Sequence, residues 1–179
     1  MIRSLMLGLA ACLALAACGN TPSVPVDRFY RLQPVALTPP AKAIAVQPLR
    51  ADSLYAERPL VYSEDSAARQ LLQYHYHLWL YAPAQMVQEH LTASLGAAAN
   101  AGGRRLEGRI LRFDRIVVGK DSKAVVALEL NLSEAGKLVF SKTYTAEQTA
   151  ADNGIAAHVV AVEQALAKIY GEFLRDAGG

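Results

Sequence analysis

The sequence has little of what marks several common classes of protein. Two cysteines among 179 residues are too few for a disulfide scaffold or a four-thiolate zinc site. The formal net charge is only +2, far from the strong basic excess of a nucleic-acid-binding protein. A disordered chain needs low hydrophobicity and high net charge, whereas 53% of these residues are hydrophobic. The composition is typical of an ordinary globular domain and indicates no nucleic-acid partner.

The motifs of common active sites are also missing from the sequence. There is no G-x-S-x-G or S-x-x-K serine motif, no P-loop and no G-x-G-x-x-G nucleotide fingerprint. His75 and His77 would share one face of a strand, a geometry that metals use, but they lack a third ligand nearby in sequence and any cysteine. We therefore expect no catalytic residue, no metal site and no bound cofactor.

The first residues have the features of a bacterial export signal. Arg3 supplies a positive charge, and the following apolar run of residues 5–14 is too short for a hydrocarbon core that needs about 20 residues. The run ends at Leu15-Ala16-Ala17-Cys18, which resembles a lipobox. This resemblance implies that the chain is cut before Cys18, whose thiol and new amine are then acylated. An ordinary secretory signal and a single-span anchor are the alternatives.

Acylation would change both the location and the composition of the mature chain. Without Arg3, 17 of the 18 Lys and Arg residues remain against 16 acidic ones, so the net charge falls to +1. Cys12 is removed and Cys18 carries lipid, which leaves no free thiol. The second mature residue is Gly19, and the absence of Asp there implies sorting to the outer membrane, on its periplasmic face. Such an anchor of several acyl chains is stable.

Proline and polar residues then predict a short extended linker. Its eight residues, 19–26, span at most about 30 Å, so the domain stays near the membrane. The predicted organisation is a signal peptide over residues 1–17, an acylated N-terminus and linker over 18–26, and a single domain over 27–179.

Alternating and β-rich segments in this domain predict seven strands. In one of them Val126, Leu128, Leu130 and Leu132 point to one face and Glu129 and Asn131 to the other. Glu134-Ala135-Gly136 predicts a tight turn into the following strand, and so a hairpin. The predicted strands cover residues 27–32, 43–49, 60–62, 70–79, 106–115, 124–132 and 137–145.

Two stretches with helical periodicity complete the predicted fold. The first runs from Pro83 to about Ala98, with Met86, Val87, Leu91 and Leu95 on one stripe. The second runs from Asn153 or Gly154 to Arg175 and carries a longer apolar stripe of Ile155, Val159, Val162, Leu166, Ile169 and Phe173. The fold class predicted is α/β, a single domain with a mixed β-sheet and two main helices packed on it.

Two groups of side chains are candidates for a surface with a function. The strand over residues 70–79 is rich in aromatic residues, with Tyr74 and Tyr76 alternating against His75, His77 and Trp79. Tyr74, Tyr76 and Trp79 could form a partner surface or fill a half-buried strand, with Trp79 the best candidate for the core. Arg104, Arg105, Arg109, Arg112 and Arg115 alternate with Glu107 and Asp114. We expect a solvated strand face there in preference to a phospholipid-binding one.

Three features together resemble the ABC-type transport auxiliary lipoprotein family, which includes the paraquat-inducible lipoproteins. These are the lipobox followed by Phe29-Tyr30-Arg31-Leu32, the segment Arg58-Pro59-Leu60-Val61-Tyr62, and the tyrosine-rich strand with Trp79 before a helix that begins at Pro83. The resemblance extends over the mature chain and is most specific from Arg58 to Leu95. Leu80-Tyr81-Ala82, between Trp79 and Pro83, is a mild departure from the family pattern.

This resemblance implies a non-enzymatic role beside transporters of the MCE type, which carry lipid between the inner and outer membranes. The chain would be the accessory that docks an MCE-family protein of the ABC transporter at the outer membrane. One version of this role has the chain assembled as a ring-shaped homo-oligomer. The alternative is a periplasmic lipid-binding chaperone that encloses an acyl chain. Neither function needs a cofactor other than the covalent lipid on Cys18.

Overall fold

Three long strands, five short ones and two helices form the domain in the computed structural model, which describes residues 24–96 and 103–178. The signal peptide and Cys18 lie outside these residues. The strands are β1 (Arg28–Tyr30), β2 (Ile44–Val46), β3 (Arg50–Ala51), β4 (Pro59–Ser63), β5 (Leu72–Trp79), β6 (Arg104–Val118), β7 (Asp121–Glu134) and β8 (Lys137–Thr149). The helices are α1 (Pro83–Leu95) and α2 (Ile155–Gly178), and a short 3-10 helix spans Ser53–Ala56.

All eight strands belong to one mixed sheet, in the order β1-β5-β4-β6-β7-β8. Along one edge of β6, the short strands β2, β3 and β4 pair in succession, each parallel to it. Along its other edge β6 pairs antiparallel with β7, which pairs antiparallel with β8. The predicted α/β class, with a mixed sheet and two main helices, is therefore confirmed.

The turn between β7 and β8 is the one that the sequence predicted. Ala135 and Gly136 both have positive φ, 51° and 78°, as the two central residues of a tight hairpin turn require. Glu134 pairs with Lys137 across it. The hairpin therefore begins where expected, although β8 continues to Thr149, four residues beyond the predicted end.

Both helices cover the same face of the sheet and bury the stripes that the sequence predicted. In α1, Met86, Val87, Leu91 and Leu95 are at most 4% exposed. In α2, the residues of the stripe from Val159 to Phe173 are buried against the inward face of β7, whose Val126, Leu128, Leu130 and Leu132 are at most 1% exposed. This aliphatic layer is the core, and burial of such area is the main favourable contribution to folding.

Two elements have no counterpart in the prediction. The two-residue strand β3 and the 3-10 helix at Ser53–Ala56 lie between β2 and β4. Such short segments carry too few residues for a hydrophobic period and take their conformation from the strands beside them. Neither helix, among the residues described, is long and apolar enough to cross a membrane.

Candidate functional site

The three aromatic residues singled out on β5 occupy three different environments. Trp79 is 1% exposed and packs against Phe113, with ring centroids 5.3 Å apart. Tyr74 is partly buried and stacks on Tyr62 at 4.2 Å. Tyr76 is 45% exposed. Trp79 therefore belongs to the core and does not form part of a partner surface, whereas Tyr76 is available to one.

The predicted alternation of tyrosines against histidines along β5 is wrong, because the strand bulges. Pro59 pairs with Leu78, but the next pair in register joins Val61 to Gln73, so four residues of β5 lie opposite one of β4. Across this bulge the rings of Tyr74 and His77 come into edge contact, with centroids 5.4 Å apart. Extra residues on one strand interrupt the regular two-residue period.

A buried arginine lies beside this aromatic cluster. Arg115 on β6 is 3% exposed, and the hydrogen-bond acceptors described for it are all neutral. Its Nε donates to Ser122 Oγ at 2.9 Å and its Nη1 to Tyr74 Oη at 2.6 Å. Its Nη2 donates to the backbone and side-chain oxygens of Asn153, two residues before α2. Arg115 thus joins β5, β6, β7 and the segment before α2.

The neighbouring Asp114 faces the opposite side of the sheet and is also buried, at 1% exposure. Arg112 Nη2 donates to its Oδ2 at 2.6 Å, and Tyr55 Oη donates to its Oδ1 at 3.0 Å. Burial, together with the Asp114 carboxylate, raises the pKa of the Tyr55 hydroxyl. The hydrogen bond from Arg112 to Asp114 raises the pKa of the arginine, so its guanidinium stays charged.

These two clusters correct the prediction that the charged residues of β6 form a solvated face. The prediction is correct for the first half of β6, where Arg105 and Glu107 are exposed and Arg109 forms a salt bridge with Glu129 on β7. It is wrong for Asp114 and Arg115, which are buried. A register shift between Ile110 and Arg112 moves the later residues to the other face. Arg115 contacts Tyr74 of β5, and Asp114 contacts Tyr55 of the 3-10 helix.

His75 and His77 do not come together in a metal site. His75 is exposed, whereas the ring of His77 hydrogen-bonds to Tyr30 Oη at 2.8 Å through Nδ1. Burial and the positive charges of Arg28 and Arg115 lower the pKa of His77. Among the residues described, no group of three or more His, Cys, Asp or Glu could hold a metal ion.

The other two histidines are buried in the helical layer. His90 on α1 donates from Nε2 to the carbonyl of Gln33 at 2.8 Å, so the Nδ1 of the neutral ring accepts from Tyr170 Oη at 3.1 Å. Burial lowers the pKa of His90. His158 is 1% exposed beside Trp79, and its Nδ1 has no hydrogen-bond partner among the described residues. Burial, with the charge of Arg115, lowers its pKa to about 3.

The segment that follows β1 is held against the helices by polar contacts. Besides the bond from His90, the Gln33 N–H donates to Glu163 Oε1 at 2.6 Å. The Val35 N–H donates to Ser94 Oγ at 3.1 Å. These bonds connect the segment after β1 to both helices.

Shallow grooves lie on several sides of the domain. One of about 340 Å³ runs between residues 37–41 and the end of α2, lined by Leu37, Pro40 and Leu174 among others. Another of about 420 Å³ lies at the far end of β6, lined by Ile116, Val118 and Lys123 among others. Both are open to solvent. The first is lined mainly by apolar side chains, whereas the wall of the second also includes Ser66, Asp121, Ser122 and Thr149.

Comparison with known proteins relates the fold to solved structures. No family model matches the sequence, and no curated protein matches it. The structure of protein XCC0632 from Xanthomonas campestris, of the DUF330 family, is similar with a TM-score of 0.70 at 18% identity, over 85% of this chain and 100% of that one. A second solved structure, of an uncharacterized protein, is similar with a TM-score of 0.68 at 17% identity, over 85% and 99%.

These similarities define the class of fold. Because both identities are below 25%, they establish a shared architecture and say nothing of a shared activity. The chain has the same kind of mixed-sheet α/β domain as the DUF330 protein, and the domain accounts for almost the whole length of both solved structures. Its buried polar clusters connect secondary-structure elements.

Proposed function

We propose that this chain is a lipoprotein, anchored through Cys18 to the periplasmic face of the outer membrane, that docks an MCE-family protein of an ABC lipid transport system. The observation that carries the proposal is the lipobox Leu15-Ala16-Ala17-Cys18, whose cysteine is separated by five residues from the first described residue, Val24. The similarity of the fold to a DUF330 protein and the sequence resemblance to the auxiliary lipoproteins are consistent with it.

The geometry of the domain suits a platform with one end at the membrane. Because β1 is parallel to β5, and β5 is antiparallel to β4, β1 runs opposite to β6. Since β6 begins beside the β7–β8 turn, the residues before β1 approach from the other end of the sheet. Val126 of β7 pairs with Phe113, whose ring packs against Trp79. The turn at Glu134 lies about 27 Å from Val126 along β7. The turn is thus remote from the residues that lead into β1.

The proposal assigns no catalytic step to the chain. The ionisable groups whose pKa values are most strongly shifted are Tyr55, Tyr144, His158 and Tyr170. Tyr55 and Tyr144 donate to Asp114 and Asp176, and Tyr170 bonds to His90, all within the domain. These tyrosine hydroxyls stabilise the packing of one secondary-structure element on another, and a docking role requires no further function of them.

The anchor is tested by metabolic labelling with a clickable palmitate analogue in cells that express the full chain. We expect label on the wild-type protein and none on Cys18→Ser. Cys12→Ser is the matched control, because Cys12 lies inside the signal peptide and should leave labelling unchanged. Label that persists on the Cys18→Ser protein would contradict the anchor.

Location is tested separately by density-gradient separation of the two membranes. The wild-type protein should sediment with the outer membrane. Gly19→Asp introduces, at the second position of the mature chain, the acidic residue that the resemblance associates with inner-membrane retention. This variant should therefore shift to the lighter inner-membrane fractions. Gly19→Asn is the matched neutral control. Wild-type protein in the inner-membrane fractions would contradict the assigned location.

The partner is tested by chemical crosslinking in intact cells followed by purification of the chain. Recovery of an MCE-family protein supports docking, whereas an abundant, correctly located protein that recovers none would contradict it. Native mass spectrometry of the purified protein tests the alternative. A lipid-binding chaperone should release a co-purified lipid, which a docking platform does not need.

A further inference from the structure

Exposed apolar side chains concentrate where the described chain begins. Val24 is 83% exposed, Val26 74% and Phe29 51%. Nine large hydrophobic residues are exposed in the described part of the chain, and these three fall within six consecutive positions. Single exposed hydrophobic residues are ordinary, but a local group of them marks an interaction surface.

Two arginines flank this group. Arg58 lies over the ring of Phe29, with its guanidinium carbon 5.1 Å from the ring centroid. Arg28, on the same strand as Phe29, is exposed and lies opposite His77 in the backbone pairing of β1 with β5. We call Val24, Val26, Arg28, Phe29 and Arg58 the N-terminal patch. The nearby acidic residues are Asp27 and Glu57, and Gln73 hydrogen-bonds to the latter.

An arginine stacked on an exposed aromatic ring suits the boundary between lipid headgroups and acyl chains. There the ring and the valines enter the apolar side, while the guanidinium groups remain with the phosphates. A protein partner could also use aromatic and arginine anchors. The position of the patch in the chain decides between the two.

Only five residues, 19–23, separate Cys18 from Val24. Fully extended, the chain from Cys18 to Val24 reaches about 20 Å, so an acylated Cys18 keeps Val24 within that distance of the bilayer surface. A weak contact that a short linker joins to a stable anchor forms at high effective concentration, so the anchor reinforces it. The bilayer is therefore the surface that the N-terminal patch meets first and most often.

We propose that the N-terminal patch lies on the phospholipid surface and fixes the orientation of the domain, with the β7–β8 turn directed away from the membrane. The inference rests on the proposed lipoprotein function, since the acylated Cys18 brings the patch to the bilayer. Acyl chains alone would hold the domain on a free linker, whereas contact through Val26 and Phe29 limits its rotation.

The test uses a property of the acylated chain, which retains no free thiol once Cys12 is removed and Cys18 is modified. A cysteine introduced by Val26→Cys is labelled with an environment-sensitive nitrobenzoxadiazole dye. The matched control is Val139→Cys beside the β7–β8 turn, where Val139 is also exposed, at 51%. Each full-length, acylated protein is reconstituted into vesicles of phosphatidylethanolamine and phosphatidylglycerol.

On reconstitution the dye at position 26 should shift to shorter wavelength and be quenched by spin-labelled lipids, while the dye at position 139 should do neither. Protein that floats with the vesicles but shows equal, water-like emission at both positions overturns the inference and leaves the anchor intact. Protein that does not float overturns the anchor, and this inference with it.

A second variant tests the contribution of the patch itself. Phe29→Ser should reduce the shift at position 26 without lowering the melting temperature, because Phe29 is half exposed. Leu138→Ser, at a residue 65% exposed near the β7–β8 turn, is the matched control and should leave the shift unchanged. An undiminished shift in the Phe29→Ser protein would overturn the role assigned to the patch.

Discussion

The two halves of the sheet are built in different ways. β6, β7 and β8 have 15, 14 and 13 residues and pair almost without interruption. The other half consists of β1 to β5, with two to eight residues each and a wide bulge in β5. We call them the long half and the short half. The long half is a repetitive scaffold, whereas the short half depends on individual side chains.

The difference shows in the side chains that each half contributes to the one hydrophobic core. In the long half, Val126, Leu128, Leu130 and Leu132 contribute similar amounts of buried area, so no single residue dominates. In the short half Trp79 is the largest buried side chain, and Arg115 Nη1 bonds across β4 to Tyr74. Irregular strands have fewer ladder bonds, and single large or polar residues replace part of that stabilisation.

The largest expected effect therefore comes from Trp79. Trp79→Ala should lower the free energy of unfolding by about 3–5 kcal/mol, since it removes the centre of the short half and leaves a cavity. Urea denaturation of the mature chain, carrying Cys18→Ser to keep it free of lipid, measures the change. Tyr76→Ala, on the same strand but exposed, should change stability by less than about 0.5 kcal/mol. Equal losses in the two variants would contradict the division of β5 into core and surface.

Arg115 should give the next largest effect, because it connects the two halves. Arg115→Met keeps most of the side-chain volume but leaves Tyr74 Oη, Ser122 Oγ and Asn153 without their donor. Hydrogen bonds to a charged group are each worth roughly 1.5–3 kcal/mol, and we expect a total loss of about 2–3 kcal/mol because part of each is regained by water. The same denaturation experiment measures it.

The control for this variant is Arg105→Met on the exposed face of the same strand. It should cost less than about 0.5 kcal/mol, since Arg105 is exposed. A loss at Arg115 no larger than that at Arg105 would mean that the network contributes nothing to joining the halves.

The long half could be predicted from the sequence and the short half only in part. β7 and both helices carry apolar periods over many residues, so their faces are determined by many side chains at once. Strands of two or three residues carry no such signal. The bulge in β5 results from pairing with β4, and no feature of residues 72–79 alone indicates it.

The candidate site divides in the same way. The lipobox is a linear motif, so it can be recognised at Cys18 without a fold, and Cys18 lies outside the described residues. Burial of Arg115 and Asp114 has only a weak signal in the sequence, because it depends on the register shift in β6 and on contacts with Tyr74 and Tyr55. A signal does exist: Arg115 follows the buried Phe113 by two positions, which places both on the same face of β6.

Buried histidines make stability depend on pH. His158 and His90 have lowered pKa values in the folded protein, so below about 6.5 the unfolded chain binds protons that the folded one does not. Stability should therefore fall as the pH falls, by about 1.4 kcal/mol at pH 5.5 for His158 alone. Glu163, whose pKa is raised, acts in the opposite direction at lower pH. Denaturation at pH 7.5 and 5.5 measures the difference.

The control for the pH effect is His75→Gln, which removes an exposed imidazole and should leave the slope unchanged. His158→Gln removes the titrating group beside Trp79 and should flatten the slope between pH 7.5 and 5.5, whatever its effect on stability at neutral pH. An unchanged slope in His158→Gln would show that the buried histidine is not the origin of the acid sensitivity.

The smallest effect concerns the β7–β8 turn, where the long half contains its strained residue. Ala135 has φ 51°, a conformation that glycine adopts without the steric cost that a Cβ imposes. Ala135→Gly should raise the melting temperature, with a gain of about 0.5–1 kcal/mol. The same substitution at Ala156, exposed within α2, should instead cost up to about 1 kcal/mol, because glycine weakens a helix. If both variants were destabilised equally, the turn would carry no strain, and the long half would be as regular at its end as in its middle.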